Sequence, residues 1–401
     1  MGRYTFCCTF PILHRRRWRV GRLRTVGVTH HRVLWSPDFP LPGPTPFAEA
    51  AAPDAGNDRP ADPRTIAMIA KAARRVACAA AVMVSAARVA FMASFTVDWR
   101  DAAPDVCRDG AVAVGNFDGV HRGHAALVAE LRRQAANAAM PAVVLTFEPH
   151  PRDLLRPDLA APPLTTAADR SRLLHEAGAD HVLVLRTTLD LLHLTAQAFF
   201  AQVLQERLAA RAFVEGVNFG FGRDREGDIH TLAELCQSAG LPLTVVPPVV
   251  IDGAEASSSR VRNSLLRGDI EDAAKVLGRP YRLHGTTAEG RRRGRTLGFP
   301  TANLDPLQNL APGDGVYAVR VHVGQAVWPG AANVGPNPTF GEDARKVEVH
   351  LIGFQGDLYG QPLAVDFIGR LRDTRPFQGA DDLIGQLRRD VEHARQALAV
   401  H

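Results

Sequence analysis

Cysteine is scarce in this 401-residue chain, where Cys7, Cys8, Cys78, Cys107 and Cys236 are the full complement. Their spacing fits no zinc-ligand pattern and their density is far below that of a disulfide scaffold, which excludes a zinc module and a small stapled secreted fold. A reducing, cytoplasmic setting fits best. Also lacking is an uninterrupted apolar run able to cross a bilayer. The nearest, residues 76–95, is largely alanine and carries Arg88 near its middle, where a guanidinium opposes insertion by at least about 2.5 kcal/mol. No membrane partner is expected. No internal repeat is present, which excludes solenoids and propellers.

Acidic residues are absent before Asp38, and that absence accounts for the basic charge of the whole chain. Residues 1–100 hold 15 Lys/Arg against 6 Asp/Glu, a net of +9, whereas residues 101–401 hold 32 against 36, a net of −4. Phosphate binding needs cations gathered where the ligand lies, so the folded part presents no broad nucleic-acid surface and no nucleic-acid partner is expected. Residues 1–100 read as a basic, Ala/Pro-rich extension: Arg15-Arg16-Arg17-Trp18-Arg19, a Pro/Ala stretch at 37–63, then the alanine run. The preferred reading is a disordered leader or a misplaced start, with Met83 or Met92 as starts. A processed targeting segment stays open because Lys71, Arg74 and Arg75 precede the apolar stretch, as does an arm that binds RNA or membrane.

From Ala111 the chain alternates apolar runs (111–114, 142–147, 181–185, 212–215, 243–246) with helix-like segments (124–139, 168–177, 195–208, 231–239). That alternation predicts an α/β domain with a parallel sheet over residues 105–268. After Leu277-Gly278-Arg279-Pro280 come short β-rich pieces at 281–287, 316–323, 326–334, 347–354 and 363–371, which predict a small antiparallel barrel over residues 275–401. Leu383, Leu387, Val391, Ala394 and Leu398 then follow helical spacing, so one amphipathic helix should pack on the barrel.

The most informative run is Gly115-Asn116-Phe117-Asp118-Gly119-Val120-His121-Arg122-Gly123-His124, which follows the first strand. A helix starting near Arg122 would set both imidazoles at its positive end, and Gly119 and Gly123 would let backbone approach an anion. Taken alone, two histidines in a glycine-rich loop are also a plain turn or half of a zinc site, although no third ligand lies at zinc-like spacing. Further runs raise its weight. Phe147-Glu148-Pro149-His150-Pro151 closes the second strand; Glu215-Gly216-Val217-Asn218-Phe219-Gly220-Phe221-Gly222 closes another; Ser257-Ser258-Ser259-Arg260-Val261-Arg262 offers capping hydroxyls and a guanidinium able to fork onto phosphate. In the second half, Gly298-Phe299-Pro300-Thr301-Ala302-Asn303 ends a Gly/Arg-rich loop, and Glu348 alternates with apolar neighbours. Oxygen ligands two residues apart suit a magnesium ion held with phosphate, while Arg291-Arg292-Arg293 reads as a solvated charge run.

In this order, over roughly residues 105–398, these motifs resemble the bacterial bifunctional riboflavin kinase/FAD synthetase family. The resemblance implies a Rossmann-like nucleotidyltransferase domain followed by a β-barrel riboflavin kinase domain with a C-terminal helix. Riboflavin and ATP would give FMN in the second, and FMN and ATP would give FAD in the first, both with Mg2+. His121 and His124 match the pair that contacts ATP phosphates and stabilises transfer at the α-phosphorus; Arg262 matches the residue that holds the outgoing phosphates. Gly115, Phe117, Asp118, Gly119, Gly123, Ser258 and Ser259 fall on the ATP side of that site, and Asn218, Phe147 and Pro149 on the flavin side. In the barrel, Gly294, Gly298 and Pro300 would line phosphate and Thr301 and Asn303 would hold Mg2+. There Glu348 would take the ribityl hydroxyl proton, and Arg372 and Phe377 would close over flavin. Asn333-Val334-Gly335 and Asp357-Leu358-Tyr359-Gly360 match further family segments. Val217 and Gly220 depart where many relatives carry a charged residue and an arginine, and Pro336 replaces a common threonine. The changes beside Asn218 keep a second reading open, in which the first domain transfers another nucleotide or is inactive. The resemblance sets no oligomeric state.

Overall fold

A computed structural model describes residues 92–289, 298–337 and 342–400. Gly294, Arg291–Arg293 and the extension up to residue 91 lie outside the described residues. In the first domain a six-stranded sheet is built from β1 (Ala93–Asp98), β2 (Ala111–Val114), β3 (Ala142–Glu148), β4 (His181–Arg186), β5 (Ala212–Gly216) and β6 (Leu243–Val246). The spatial order is β1-β4-β3-β2-β5-β6 and every pairing is parallel. Such a sheet is covered by helices on both faces, so its central strands must be apolar throughout; all of Ala111–Val114 is buried. Two apolar clusters result, one around Val112, Leu145, Phe199 and Phe213, the other around Ala113, Val128, Val144 and Leu174.

Helix ends follow local chemistry. Thr166 caps Ala167–Ala177 by accepting the Asp169 amide, and Gly178 closes that helix with a positive φ. Ser257 caps α1 (Ser258–Leu266) and Asp269 caps α2 (Ile270–Leu277). The expected helix over 195–208 is present as a short α-turn, Ala196–Ala198, continued by a wider π-helix, Phe199–Arg207.

Six antiparallel strands close the second domain: β7 (Tyr281–Ala288), β8 (Ala302–Leu307), β9 (Gly315–Val323), β10 (Ala326–Asn337), β11 (Glu342–Leu351) and β12 (Pro362–Arg372), in the order β7-β8-β11-β10-β9-β12. The helix α3 (Ala380–Val400) packs on the barrel through Val391, Ala394 and Leu398 against Ala318 and Ile352. The barrel core is continuous with α1 and α2: Val261, Leu265, Ile270 and Val276 pack in one cluster with Leu283, Tyr317 and Phe367.

Two elements depart from expectation. Composition places residues 93–100 in the extension, yet Ala93–Asp98 pairs along its length with His181–Arg186 as the edge strand, with Phe95 and Val97 on the core. The six-residue Ala-Ser-Phe-Thr-Val-Asp pattern alternates weakly and follows an alanine run that hides it. The sixth barrel strand, Ala302–Leu307, contains Asp305-Pro306, which reads as a turn; the structure accepts proline where the ladder with β7 shifts register between Gly285 and Thr287. A chain begun at Met92 should therefore have a higher thermal midpoint than one begun at Pro104, which lacks β1 and exposes the β4 edge. Equal midpoints in calorimetry would show that the edge strand contributes nothing.

Candidate active sites

Strand order reverses between β2 and β5, because the chain runs from β2 outward through β3 to β4 on one side and returns to β5 and β6 on the other. In an open parallel sheet a ligand crevice forms at the carboxyl ends of the strands beside such a point. Gly115–His124 leaves β2 there, and Gly216–Asn218 leaves β5 there.

The turn between β2 and the following helix, Arg122–Asn137, is unusual in its backbone. Phe117, Gly119 and Val120 all have positive φ, at 49°, 81° and 38°, and a β-branched residue in that region is a rare conformation that surrounding contacts must impose. The outcome is that His121 becomes the helix N-cap, its Nδ1 accepting the amides of Gly123 at 3.1 Å and His124 at 3.4 Å. With Nδ1 accepting, the proton of a neutral ring sits on Nε2 and can be donated. His124 stacks on His121 at 3.7 Å between centroids, and Phe117 meets His124 edge-on. Burial, reinforced by the Arg279 charge, pushes the His121 imidazole down to about 4. Burial, His121 and Arg279 together hold His124 well below the usual histidine range. The buried Nδ1 of His124 has no hydrogen-bond partner within the protein. Two neutral rings at a helix N-terminus, beside a glycine without a Cβ, suit a phosphate group.

Asp118 is 8% exposed and organises the surroundings. One carboxylate oxygen accepts the amides of Leu164 and Thr165, the other accepts Arg262 at 3.1 Å, and the Asp118 carbonyl accepts the Ser258 hydroxyl. Arg262 also donates to the Pro162 carbonyl at 2.7 Å, leaving further guanidinium N–H groups for a ligand. Ser259 is exposed on the same helix. Arg260, by contrast, is a brace: it bonds Asp272 and the carbonyls of Ile251 and Ala254.

On the flank, Phe147 packs near Phe199 with its ring half-buried, and Pro149 is exposed. Exposed Asn218 donates to Glu255 at 3.5 Å, and the neighbouring Ala256 carbonyl lies against Gly123. This brings the β5 loop to the histidine turn. At Gly220 a Cβ would lie 2.7 Å from Nη2 of Arg225, which itself donates to the Asn218 carbonyl. Three residues here escape sequence reasoning. Arg170, buried, ties the loops after β2 and β3 by bonding the Asn116 and Phe147 carbonyls and pairing with Glu148. Glu215, also buried, accepts the Val114 amide at 2.6 Å, and burial raises its carboxyl well above the usual range. Arg279 bonds the turn itself. Only spatial proximity across long sequence separations identifies them; no local pattern does.

The barrel holds the second constellation. Glu348 on β11 is in register with Asn303 on β8 and with Asn333 on β10, so the three side chains share the outer face in a row. Their neighbours Ala302, Leu304, Ala332, Val334, Val347 and Val349 are buried inside. The Pro300 carbonyl accepts His350 Nδ1 at 2.8 Å and Phe299 meets the His350 ring edge-on, which pins the segment Gly298–Thr301 beside β11. Gly298 has φ +83° with open space around it, and Thr301 is exposed. Pro336 falls where the β10–β11 register shifts between Gly335 and Asn337, a position that asks nothing of a backbone N–H. Arg372 pairs with buried Asp390 of α3 through both nitrogens and lies 5.6 Å from the Phe377 ring, which Arg375 also approaches. Among the described residues no cluster of three or more His, Cys, Asp or Glu could hold a metal. The hydroxyl, carboxamide and single carboxylate at Thr301, Asn303 and Glu348 fit the other manner of binding, a magnesium ion carried largely by substrate phosphates.

Comparison with known proteins finds a match for each of the two domains. Residues 104–260 match the family model described as FAD synthetase, and residues 277–398 match that described as riboflavin kinase. A bifunctional riboflavin kinase/FMN adenylyltransferase of Pseudomonas fluorescens is 38% identical over 292 residues, covering 72% of this chain and 94% of that protein. The protein of the same description from Escherichia coli K12 is 36% identical, covering 72% and 93%. A solved structure from Streptococcus pneumoniae, described as a macrolide-efflux protein, superposes with a TM-score of 0.66 at 34% identity, covering 75% of this chain and 98% of that one.

The depressed His121 imidazole has a consequence for stability. Its value is about 4 in the fold against 6.5 when free, so between these the unfolded chain binds more protons and acidification through the window removes stability, by up to about 1.4 kcal/mol per pH unit. Urea unfolding across that window should show a shallower acid loss for His121→Gln than for the parent chain. Identical slopes would mean that His121 is not held neutral.

Proposed function

The chain belongs to the bifunctional riboflavin kinase/FMN adenylyltransferase family, and on that premise we propose how its residues divide the work. The protein phosphorylates riboflavin with ATP to give FMN, and joins FMN to the AMP moiety of a second ATP to give FAD and pyrophosphate. Adenylyl transfer is assigned to the site at the β2/β5 switch point, within residues 105–268 together with the preceding strand Ala93–Asp98. Riboflavin phosphorylation is assigned to the barrel, residues 275–401. The observation that carries the assignment is the stacked, neutral His121–His124 pair at a helix N-terminus in one domain, and a carboxylate in register between two asparagines in the other.

In the first site an FMN phosphate oxygen attacks the α-phosphorus in line, the new P–O bond forming as the bond to pyrophosphate breaks. No protein nucleophile is needed. Nε2–H of His121, the His124 ring and the backbone amides of the turn stabilise charge on the transferred group, and Arg262, oriented by Asp118, receives the departing phosphates. Gly115, Phe117, Gly119, Gly123, Ser258 and Ser259 line the nucleotide, and Asn218, Phe147 and Pro149 the flavin.

In the second site Glu348 takes the proton of the ribityl 5′-hydroxyl as its oxygen attacks the γ-phosphorus and ADP leaves. Thr301 and Asn303 would hold Mg2+, which when bound neutralises phosphate charge; Gly298 and Pro300 shape the phosphate segment, and Arg372 and Phe377 border the flavin. Gly294 has the same phosphate role in the family and lies outside the described residues. The reading needs only small-molecule partners: riboflavin, FMN and ATP. A negative charge on residues 101–401 supports the expectation of no nucleic-acid partner, and no helix among the described residues is long and apolar enough to cross a membrane. Free, buried Cys107 and Cys236 support a cytoplasmic location.

Incubation with FMN, ATP and Mg2+ followed by chromatographic separation of flavins tests the adenylyl step, and riboflavin in place of FMN tests the kinase. His121→Ala with His124→Ala should lower FAD formation by at least about 10²-fold and spare FMN formation. Glu348→Gln should do the reverse, by roughly 10²–10⁴-fold. Loss of both reactions from either change in a folded protein would contradict separate sites. Thr301→Ala should raise the Mg2+ concentration that half-saturates FMN formation and leave that of FAD formation alone; an unchanged requirement for FMN formation removes Thr301 from the metal site.

A further inference from the structure

Arg279 follows Gly278, the left-handed cap of α2, and precedes Pro280 and the first barrel strand. It lies within the residues that match riboflavin kinase, 277–398, yet its side chain turns into the other domain. Nη2 donates to the Gly119 carbonyl at 2.5 Å, and Nη1 donates to the Val120 carbonyl at 2.9 Å and to the Leu277 carbonyl at 3.2 Å. Gly119 and Val120 are the residues immediately before His121.

These carbonyls belong to the turn whose backbone is least favourable, with Val120 at φ 38°. A β-branched residue stays there only if it is held from more than one side. From one side Thr165 accepts the Gly119 amide and Asp118 is tied to Leu164 and Thr165. From the other, the planar Arg279 fork takes the two successive carbonyls, a geometry that an ammonium group cannot reproduce. Burial, together with the charge of Arg172, pulls the guanidinium down to about 10, so it remains a cation at neutral pH. Its hydrogen bonds go to carbonyls, with Asp169 and Glu176 supporting the charge through space, and against the opposing desolvation this spends a guanidinium on the turn where packing alone would need none. Its charge also bears on His121 and His124, helping to keep both rings neutral.

We propose that Arg279 is a positioning residue for adenylyl transfer, supplied from the kinase side of the chain: by gripping the Gly119 and Val120 carbonyls it holds the strained turn that presents His121 and His124 to the α-phosphorus. The proposal rests on the assignment of adenylyl transfer to that turn. It makes the first site dependent on a residue outside its own domain, while the barrel reaction has no use for it.

The test uses the full-length protein with Arg279→Lys and Arg279→Ala, each assayed separately for FAD formation from FMN and for FMN formation from riboflavin. The expected result is a fall in kcat for FAD formation of about 10²-fold in Arg279→Ala, the scale of a misplaced catalytic group, and a smaller fall in Arg279→Lys. KM for FMN and ATP should stay near the parent values, FMN formation should be unaffected, and added guanidinium ion should restore part of the lost kcat to Arg279→Ala. Parent-like kcat in both variants overturns the proposal. So does a loss carried by KM alone, which would make Arg279 a binding group, and so does an equal loss in both reactions, which would make it a general brace of the fold. A parent protein that forms FMN but no FAD overturns the underlying assignment, an outcome distinct from any variant effect.

Discussion

The first site depends on a buried carboxylate. Asp118 sits in the middle of a turn that the chain would not adopt alone, and four groups from two other segments bond to it: the amides of Leu164 and Thr165, the guanidinium of Arg262 and the hydroxyl of Ser258. A carboxylate withdrawn from water is tolerated only when its oxygens are satisfied. Thus the segments 162–165 and 258–262 cannot move away without leaving it unpaired. The same segments reach the barrel. Leu164 packs in the barrel cluster with Leu310, the Pro163 carbonyl accepts the Leu310 amide, and Asn309 donates to the Leu164 carbonyl. The bonds that shape the histidine turn are therefore continuous with those that seat one domain on the other, to which His284 and Asp169 add a hydrogen bond.

Electrostatics at the two sites run in opposite senses. At the histidine turn, stacked rings 3.7 Å apart, one buried and one partly buried, cannot both carry charge, so on the proposed assignment the site would offer neutral N–H donors, helix amides and one oriented guanidinium to phosphates that bring their own negative charge. On that assignment charged imidazoles would bind the ground state more tightly as well, whereas neutral donors would act mainly on charge that develops during the transfer. In the barrel the Glu348 carboxylate lies on an outer face, in register with the carboxamides of Asn303 and Asn333 and backed by a largely apolar interior.

Much of this was legible from residue order. The central strands declare themselves as apolar runs because both faces of a parallel sheet are buried; His121, His124 and Arg262 stand in runs that the fold brings to one turn, and Asn303 and Glu348 in runs that it sets in register. What escaped notice had two physical causes. Ala93–Asp98 and Ala302–Leu307 are strands made by their neighbours: the first completes an edge beside β4, and the second spans a register shift that accommodates Pro306. Arg279 reads as part of a Gly-Arg-Pro boundary, and Arg170 as an ordinary helical cation, because bonds that span 159 and 54 residues leave no local periodicity.

Gly220 shows the converse, a local departure that is smaller in space than in sequence. Residue 220, two positions from Asn218, has no side chain, so read position by position it supplies no cation there. The fold returns one. Asp224 and Arg225 both adopt left-handed backbone angles, φ 54° and 59°, which bend the loop after Gly222 back on itself. The Arg225 guanidinium thereby comes within 2.7 Å of where a Cβ of residue 220 would stand and bonds the Asn218 carbonyl. The glycine leaves the space that the guanidinium fills, and a side chain at 220 would make that guanidinium shift. A cation thus stands beside Asn218 although residue 220 supplies none, so the missing side chain at Gly220 does not by itself leave that loop without positive charge.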